Sequence, residues 1–413
     1  MKAIYSAQVE SKSYRNHKVV SLTIDNEKQL QELKRLEMQS GFTFIDPPVQ
    51  AKMKLDLVIS PEMFASFEEM AADNNISFKL STNDLQSWID QEKPMKARKD
   101  GFGHDKFNTL DEIYDYLDDL AAANNFATVL NIGRSYEARQ IKVIKYTKNI
   151  NNPAIFIEAN IHAREWISSA TAVWIAETVL TIEDPEIREL VDSLTWYILP
   201  VTNPDGFAYT HDEENGDRLW RKTRSVHNIF CKGVDPNRNF GYNFMRGGSS
   251  SVACTDTYAG PTAFSERETQ AVMDFYATIA DKSQAYISFH CAAEMLLYPM
   301  GHTISTEDVP NAQHLHDIAE IAVEALFQRN SRRYEFGNVM EALYIASGSS
   351  PDHAYGAYGT PLAYTYEFRA GVDTGSRFIL PPEEIIPNSQ EVFDSVLALI
   401  KAGKERGYFQ VAE

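Results

Sequence analysis

The chain has few cysteines, no long apolar run and no excess of basic residues. Three cysteines in 413 residues are too few for a disulfide-dense scaffold or for a zinc site built from four thiolates. No stretch approaches the roughly 18 uninterrupted apolar residues of a membrane helix. The N-terminus also lacks the apolar core of a secretory signal. Either the protein is cytosolic, or a signal has already been removed from this numbering.

Basic side chains are outnumbered, with 39 Lys and Arg against 58 Asp and Glu and a net charge of −19. Residues 1–99 contain 14 basic and 14 acidic side chains, so the remainder carries the whole net charge. A phosphate backbone requires a basic face, and the composition therefore disfavours a nucleic-acid partner. A well-solvated acidic surface is the simplest interpretation.

Hydrophobic residues make up 44% of the chain, enough for two cores. The first ninety residues predict a small α+β domain within 1–99. Its predicted strands are 19–24, 55–59 and 77–80, and its predicted helices are 27–38, one that opens at Pro61, and 84–91. The segment 93–99, Lys-Pro-Met-Lys-Ala-Arg-Lys, then predicts an exposed connector that a trypsin-like protease would cut. The alternative is an ordinary linker between two permanent domains.

From about residue 105 the pattern alternates between strands and helices. The predicted strands are 141–146, 154–161, 196–201, 285–289 and 362–368. The predicted helices are 110–122, 167–182, 265–280, 312–328 and 389–406. We therefore expect residues 100–413 to form an α/β domain, with a mixed, largely parallel central sheet covered by helices on both faces.

Two histidines and one carboxylate follow two of these strands. His162 and Glu165 lie just after the strand 154–161, and His290 comes directly after the strand 285–289. Open α/β sheets place their ligands at the carboxyl ends of strands. Two histidines with one carboxylate are the ligand set of a catalytic zinc that keeps one position open for water. The His-x-x-Glu spacing alone is a weak signal, and its context strengthens it.

The three cysteines have different expected roles. Cys231 and Cys254 could close one loop between segments rich in Gly, Ser and Asn. Cys291 is expected to be a free buried thiol, and a metal-ligand role is the less favoured alternative.

Seven motifs, including the two that contain His162 and His290, occur in order along the chain. They are His162-Ala-Arg-Glu165, Val201-Thr-Asn-Pro-Asp-Gly206, Arg218-Leu-Trp-Arg-Lys-Thr-Arg224, Asp235-Pro-Asn-Arg-Asn239, Ser288-Phe-His290, Tyr344 and Tyr366-Glu-Phe-Arg369. With them the chain closely resembles secreted zinc procarboxypeptidases of the A/B type. The resemblance is specific over residues 105–410, and the first ninety residues resemble the family's propeptide more loosely.

The resemblance implies a role for each matching residue. One zinc ion per chain would be bound by His162, Glu165 and His290, and Asp235 would orient a ligand histidine. Glu367 would be the catalytic carboxylate, and Arg221 would face the scissile carbonyl. The residues implied to contact the substrate are Arg164, Arg218, Asn237, Arg238 and Tyr344.

The resemblance also implies a pocket for the C-terminal side chain of the substrate. Its expected residues are Gly301, Val339, Leu343, Ala346, Ser349, Ser350, Pro351 and Thr365. Basic-specific members carry an acidic residue at the position of Pro351, and glutamate-specific members carry a basic one. A neutral pocket is therefore expected, and with it the A-type preference for aliphatic or aromatic C-terminal residues. B-type removal of Lys or Arg is the alternative, which Glu341 would favour if it pointed inward. Cys291 and Ala292 depart from the family's usual serine and tyrosine.

The expected protein is a secreted, monomeric digestive zymogen. Residues 1–99 would be an inhibitory prodomain, released by cleavage near Arg98 or Lys99 by a trypsin-like protease, and residues 100–413 the catalytic domain. The expected partners are peptide and protein C-termini, the activating protease and proteinaceous carboxypeptidase inhibitors, with no membrane. An inactive peptide-binding relative would lack a ligand or the base, yet all are present. A cytosolic regulatory carboxypeptidase would usually lack the prodomain, and the Cys231–Cys254 pair favours an oxidising compartment.

Overall fold

The protein is built around two separate β-sheets, one near the N-terminus and one in the rest of the chain. The structure is a computed structural model that describes residues 12–92, 101–227, 229–303, 309–370 and 378–410. Arg98 and Lys99, the expected cleavage site, lie outside the described residues. Among the described residues, no helix is long and apolar enough to cross a membrane.

Residues 12–92 form the N-terminal unit, a four-stranded antiparallel sheet with helices. Its strands are β1 Lys18–Thr23, β2 Phe42–Phe44, β3 Lys54–Ile59 and β4 Phe78–Thr82, in the order β2-β3-β1-β4. Its helices are α1 Glu27–Leu36, α2 Phe64–Asp73 and α3 Gln86–Ile89, followed by a 3₁₀ turn at Asp90–Glu92. The mixture of strands and helices matches the small α+β domain expected from the sequence.

One helix start in this unit was predicted wrongly. The helix expected to open at Pro61 begins instead at Phe64. The backbone N–H of Met63 donates to the carbonyl of Ser60 at 3.1 Å, so the residues around Pro61 form a turn rather than the first turn of the helix. The short strand β2 was not predicted.

The larger sheet has eight strands in the order β11-β10-β12-β9-β7-β8-β6-β5. Its strands are β5 Ala127–Arg134, β6 Gln140–Tyr146, β7 Ala154–Ala159, β8 Thr195–Leu199, β9 Ser283–Cys291, β10 Met295–Tyr298, β11 Glu335–Asn338 and β12 Leu362–Phe368. The central run β12-β9-β7-β8 is parallel. Strand β6 pairs antiparallel with both β5 and β8, and β10 pairs antiparallel with β12 and parallel with β11.

Helices surround this sheet. They are α4 Leu110–Ala122, α5 Trp166–Thr181, α6 Pro185–Asp192, α7 Pro204–His211, α8 Arg267–Ala277, α9 Ala312–Asn330, α10 Val339–Ala342, α11 Ser350–Tyr358 and α12 Ile385–Glu405. Short 3₁₀ turns occur at Pro236–Arg238, Ala280–Lys282 and Pro382–Glu384.

Strand β7 is buried along its whole length, and its side chains alternate between two cores. Ile155 and Ile157 pack in the core that contains residues of α5, α9 and α12. Ala154 and Phe156 pack in the opposite core, with residues of α8. Successive side chains of a strand point to opposite faces, so both faces of the sheet are covered. The expected mixed, largely parallel sheet with helices on both faces is confirmed.

The cysteines behave as the sequence suggested. Cys231 and Cys254 form a disulfide, with their Cα atoms 5.1 Å apart. Cys291 is a free, buried cysteine at the end of β9.

Candidate active site

His162, Glu165 and His290 converge at the carboxyl ends of β7 and β9, which are parallel neighbours. Glu165 Oε1 lies 2.8 Å from His162 Nδ1, and Glu165 Oε2 lies 3.1 Å from His290 Nδ1. The two Nδ1 atoms are 3.1 Å apart. All three side chains are buried. The sequence therefore placed these three residues correctly at one edge of the sheet.

The local chain holds Glu165 at the start of α5. Its backbone carbonyl accepts hydrogen bonds from Ser168 Oγ at 2.7 Å and from Asn160 Nδ2 at 3.1 Å. His290 is fixed differently, because it lies inside the strand β9 and pairs in register with Glu367 of β12. Backbone structure thus fixes the positions of both Glu165 and His290.

The cluster fits a zinc ion. Ligand atoms about 2.0–2.1 Å from a tetrahedral zinc lie about 3.3 Å from one another. The observed separations of 2.8, 3.1 and 3.1 Å are close to that value. Both histidines present Nδ1 to the common centre, so each Nε2 is left for another partner. Two nitrogen donors and one carboxylate leave a fourth position open, as in catalytic zinc sites.

Asp235 lies behind His162, with Oδ1 3.1 Å from His162 Nε2. Its second oxygen accepts hydrogen bonds from Arg221 Nη2 at 2.8 Å and Nε at 3.2 Å. Burial alone would raise the pKa of this carboxyl, but Arg221, Arg238 and His162 hold it well below its usual value. An ionised Asp235 accepts a hydrogen bond from the N–H at Nε2, which keeps the ring proton there and leaves Nδ1 of His162 free for a metal.

Glu367 and Arg221 line the same cavity as the three clustered residues. Burial raises the pKa of the Glu367 carboxyl to about 7, against the opposing effect of His290 and Arg221. Near neutral pH such a carboxyl can both accept and donate a proton. Arg221 stays protonated, and its guanidinium is oriented by Asp235.

Three residues that were expected to contact the substrate line another wall of the cavity: Asn237, Arg238 and Tyr344. Arg238 is held by two backbone carbonyls, since Nε donates to Gly248 O at 3.0 Å and Nη1 to Asn237 O at 2.9 Å. Within the described residues, Nη2 of Arg238 has no hydrogen-bond partner, which leaves its two N–H groups for an anion.

The expected specificity pocket is only partly assembled from the expected residues. Five of them line the cavity: Val339, Leu343, Ala346, Ser349 and Thr365. Gly301, Ser350 and Pro351 do not. Gly301 packs its backbone against Ala346, where an added Cβ would lie 2.2 Å from the carbonyl oxygen. Pro351 is buried in the first turn of α11. Glu341 is exposed, and Cys291 and Ala292 line the cavity.

The N-terminal unit reaches into this cavity. Ile45, Asp46 and Pro47 are among its lining residues. Arg164, fully buried, donates to the carbonyl of Ile45 at 3.0 Å and to that of Phe44 at 3.4 Å. The sequence did not predict that these residues of the N-terminal unit would line the site.

Arg218 is also engaged by the N-terminal unit. Its Nε and Nη2 each donate to a carboxylate oxygen of Glu92 at 2.6 Å. The guanidinium carbon lies 3.7 Å from the centre of the Trp166 ring. Arg164 and Arg218, two of the three arginines that were expected to contact the substrate, therefore contact the N-terminal unit.

Two further residues lie behind His290: Glu158, which the sequence did not single out, and Ser288, which was named only within the motif Ser288-Phe-His290 and given no role. Glu158 lies in the middle of β7 and is fully buried, and Ser288 Oγ donates to its Oε1 at 2.8 Å. Ser288 Oγ also lies 3.1 Å from His290 Nε2. A glutamate inside an otherwise apolar strand was the available signal, because a buried carboxyl requires a hydrogen-bond partner.

Two sequence models of known families match the chain. The one described as zinc carboxypeptidase matches residues 113–395, and the one described as carboxypeptidase activation peptide matches residues 20–92. Together they span both the large sheet and the N-terminal unit.

Individual proteins agree with these matches. Zinc carboxypeptidase A 1 of Anopheles gambiae is 39% identical over 401 residues, covering 96% of this chain and 92% of that protein. The crystal structure of carboxypeptidase A from Helicoverpa armigera superposes with a TM-score of 0.85 at 26% identity, covering 95% of this chain and 98% of that one. Bovine thrombin-activatable fibrinolysis inhibitor, in complex with tick carboxypeptidase inhibitor, superposes with a TM-score of 0.66 at 32% identity, covering 73% and 99%.

Proposed function

Because the chain belongs to the zinc carboxypeptidase family and carries that family's activation peptide, we propose that it is the zymogen of an A-type exopeptidase. Residues 100–413 would be the catalytic domain and residues 1–99 the inhibitory prodomain. The reaction is hydrolysis of the C-terminal peptide bond, with a preference for neutral aliphatic or aromatic C-terminal residues. The uncharged pocket wall is the observation that carries this preference.

The metal site is assigned to His162, Glu165 and His290, with Asp235 fixing the tautomer of His162. Bound zinc would polarise the scissile carbonyl and lower the pKa of an attacking water. Glu367 then takes a proton from that water and delivers it to the leaving amine. Arg221 donates hydrogen bonds to the oxygen on which negative charge develops.

Exopeptidase action is assigned to Arg238, Asn237 and Tyr344. Arg238 offers a planar guanidinium with an unpaired donor in the cavity, which suits a free carboxylate. An internal peptide bond has no carboxylate to offer, so these residues restrict cleavage to the chain end. Arg164 and Arg218 would hold backbone groups further along the substrate, in place of the N-terminal unit that they now contact.

The side-chain preference is supported by the uncharged part of the cavity wall, most of which is apolar. Its residues are Leu297, Val339, Leu343, Ala346, Ser349 and Thr365, and none of them is charged. Glu341, the residue that would favour a basic side chain, is exposed and does not line the cavity. Apolar surface of this kind stabilises an aliphatic or aromatic side chain by burial.

Latency is assigned to the contacts between the N-terminal unit and the cavity. Ile45, Asp46 and Pro47 occupy space that a substrate needs, and cleavage near Arg98 or Lys99 by a trypsin-like protease would release them. Secretion is supported by the Cys231–Cys254 disulfide, since such bonds persist in oxidising compartments. A digestive role as a monomer, and binding of proteinaceous carboxypeptidase inhibitors, complete the proposal.

A panel of peptides that differ only in the C-terminal residue tests this specificity after trypsin treatment. We expect kcat/KM for Leu or Phe to exceed that for Lys by at least about tenfold. A preference for Lys or Arg would replace the A-type assignment with the B-type alternative.

A further inference from the structure

Glu158 is a buried carboxylate for which the proposed reaction has no use. It lies between Ile157 and Ala159 in the centre of β7, and its side chain is fully buried. None of the ion pairs among the described residues includes it. Its Oε1 accepts hydrogen bonds from the hydroxyls of Ser288 and Ser350. A carboxyl at this depth is costly unless it is hydrogen-bonded, so these two hydroxyls stabilise it.

One of these hydrogen bonds leads directly to the metal cluster. Ser288 Oγ lies 2.8 Å from Glu158 Oε1 and 3.1 Å from His290 Nε2. Because His290 Nδ1 faces the other two ligands, a bound metal requires the ring proton on Nε2. That proton can be donated to Ser288 Oγ only if the hydroxyl hydrogen of Ser288 points elsewhere. Glu158 Oε1 accepts a hydrogen bond from that hydroxyl. It thereby fixes the direction of both hydrogen bonds, from His290 to Ser288 and from Ser288 to Glu158.

Asn237 does not replace Ser288 in this arrangement. Its Nδ2 lies 3.3 Å from His290 Nε2 and is itself a donor. Its Oδ1 already accepts a hydrogen bond from the backbone N–H of Ser350 at 3.0 Å. When the ring proton is on Nε2, Ser288 is therefore the available acceptor.

We propose that Glu158 is a positioning residue that sets the tautomer and ring orientation of His290 through the hydroxyl of Ser288. The role matches that of Asp235 behind His162, except that a serine stands between the carboxyl and the ring. The proposal rests on the proposed function, which assigns His290 as a zinc ligand.

The two hydrogen bonds from His290 to Ser288 and from Ser288 to Glu158 require the acceptor oxygen of Glu158 rather than its charge. Burial raises the pKa of the Glu158 carboxyl, against the opposing effect of the Ser350 and Ser288 hydroxyls. The neutral acid keeps Oε1 as an acceptor, and a glutamine offers the same oxygen in the same volume. A methionine has a similar size but no such oxygen.

The test is the zinc dissociation constant of the full-length chain, measured by competition with a chromogenic chelator. We expect Ser288→Ala and Glu158→Met to weaken zinc binding by about 10–100-fold, the effect typical of losing a partner of a ligand histidine. Glu158→Gln should bind zinc within about threefold of the unmodified chain. Ser389→Ala, which removes a buried hydroxyl from α12, is the matched control and should also remain within about threefold.

Unchanged zinc affinity in Ser288→Ala would overturn the proposal. Equal weakening in Glu158→Gln and Glu158→Met would overturn it too, because the acceptor oxygen would then be insufficient. If the methionine variant does not fold by near-ultraviolet circular dichroism, the comparison of Ser288→Ala with Glu158→Gln carries the test. A failure of the proposed function is distinct, since the unmodified chain itself would then bind no zinc or cleave no peptide.

Discussion

Glu92 of the N-terminal unit and Arg218 of the larger domain form a buried ion pair with two hydrogen bonds of 2.6 Å. Only 5% of Glu92 and 7% of Arg218 is exposed. In the sequence Glu92 comes directly before the basic segment 93–99, so this pair ties the end of the N-terminal unit to the larger domain. Removal of one partner from such a pair leaves an uncompensated buried charge, which typically costs about 3–5 kcal/mol.

The first prediction concerns Glu92→Gln. The variant keeps the shape of the side chain but leaves the charge of Arg218 unpaired, so the N-terminal unit should dock less tightly. We expect the uncut chain to hydrolyse a free-acid peptide at least about tenfold faster than the unmodified uncut chain, because tenfold corresponds to about 1.4 kcal/mol. Initial rates in the presence of a serine-protease inhibitor measure this latent activity.

Glu69→Gln is the matched control, because Glu69 is an exposed glutamate of the same unit. It should leave the latent activity unchanged. If the latent activity of Glu92→Gln is also unchanged, the ion pair does not hold the N-terminal unit in place.

The second prediction concerns pH and the contact between Glu37 and Asp256. Glu37 Oε1 accepts a hydrogen bond from the backbone N–H of Asp256 at 3.3 Å, across the interface. Burial, reinforced by the negative charge of Asp256, raises the pKa of Glu37 from 4.5 to about 7. The protonated form is therefore favoured in the folded protein, and its stabilising contribution is full below pH 4.5 and disappears as the pH rises through about 7.

The thermal unfolding midpoint should reveal this effect in the uncut chain. Between pH 5.5 and pH 8 we expect the midpoint of the unmodified chain to fall more steeply than that of Glu37→Gln, which cannot ionise. Glu32→Gln, on the helix α1 that ends just before Glu37, is the control and should follow the unmodified chain. Parallel curves for Glu37→Gln and the unmodified chain would mean that Glu37 does not titrate at the interface.

The third prediction concerns Glu367→Gln. An amide cannot accept a proton from water, so we expect kcat of the trypsin-treated enzyme to fall by at least about a hundredfold. Zinc content, measured by atomic emission, should stay at one ion per chain because Glu367 is not a ligand. Exposed Glu383→Gln should change neither quantity. If Glu367→Gln keeps its turnover, Glu367 is not the catalytic carboxylate. If the variant loses zinc, Glu367 contributes to metal binding.

Much of the fold is predictable because the central strands are buried on both faces. The apolar run 154–161 contains β7, and the helical pattern at 167–182 matches α5 to within one residue. The missed strand β5 lies at the edge of the sheet, with half-exposed side chains and an irregular pairing near Asn131. Its pattern does not alternate cleanly, so the periodicity was weak there.

The candidate site, too, is predictable in one part and not in the other. The cluster of His162, Glu165 and His290 follows from the rule that ligands lie at the carboxyl ends of strands. The pocket for the C-terminal side chain of the substrate was harder to predict. Pro351 lies in the first turn of α11, and the direction of its side chain depends on how that helix packs. Contacts with the N-terminal unit depend on tertiary docking, which no local pattern encodes.

The central claim is that this chain is a zinc exopeptidase that the N-terminal unit keeps inactive. The most direct test follows a peptide ending in Leu, as the free acid and as the C-terminal amide, with the chain before and after trypsin treatment. We predict that only the free acid is cleaved, only after trypsin treatment, and that a zinc chelator abolishes the cleavage. Equal cleavage of the amide, or full activity of the uncut chain, would contradict the account.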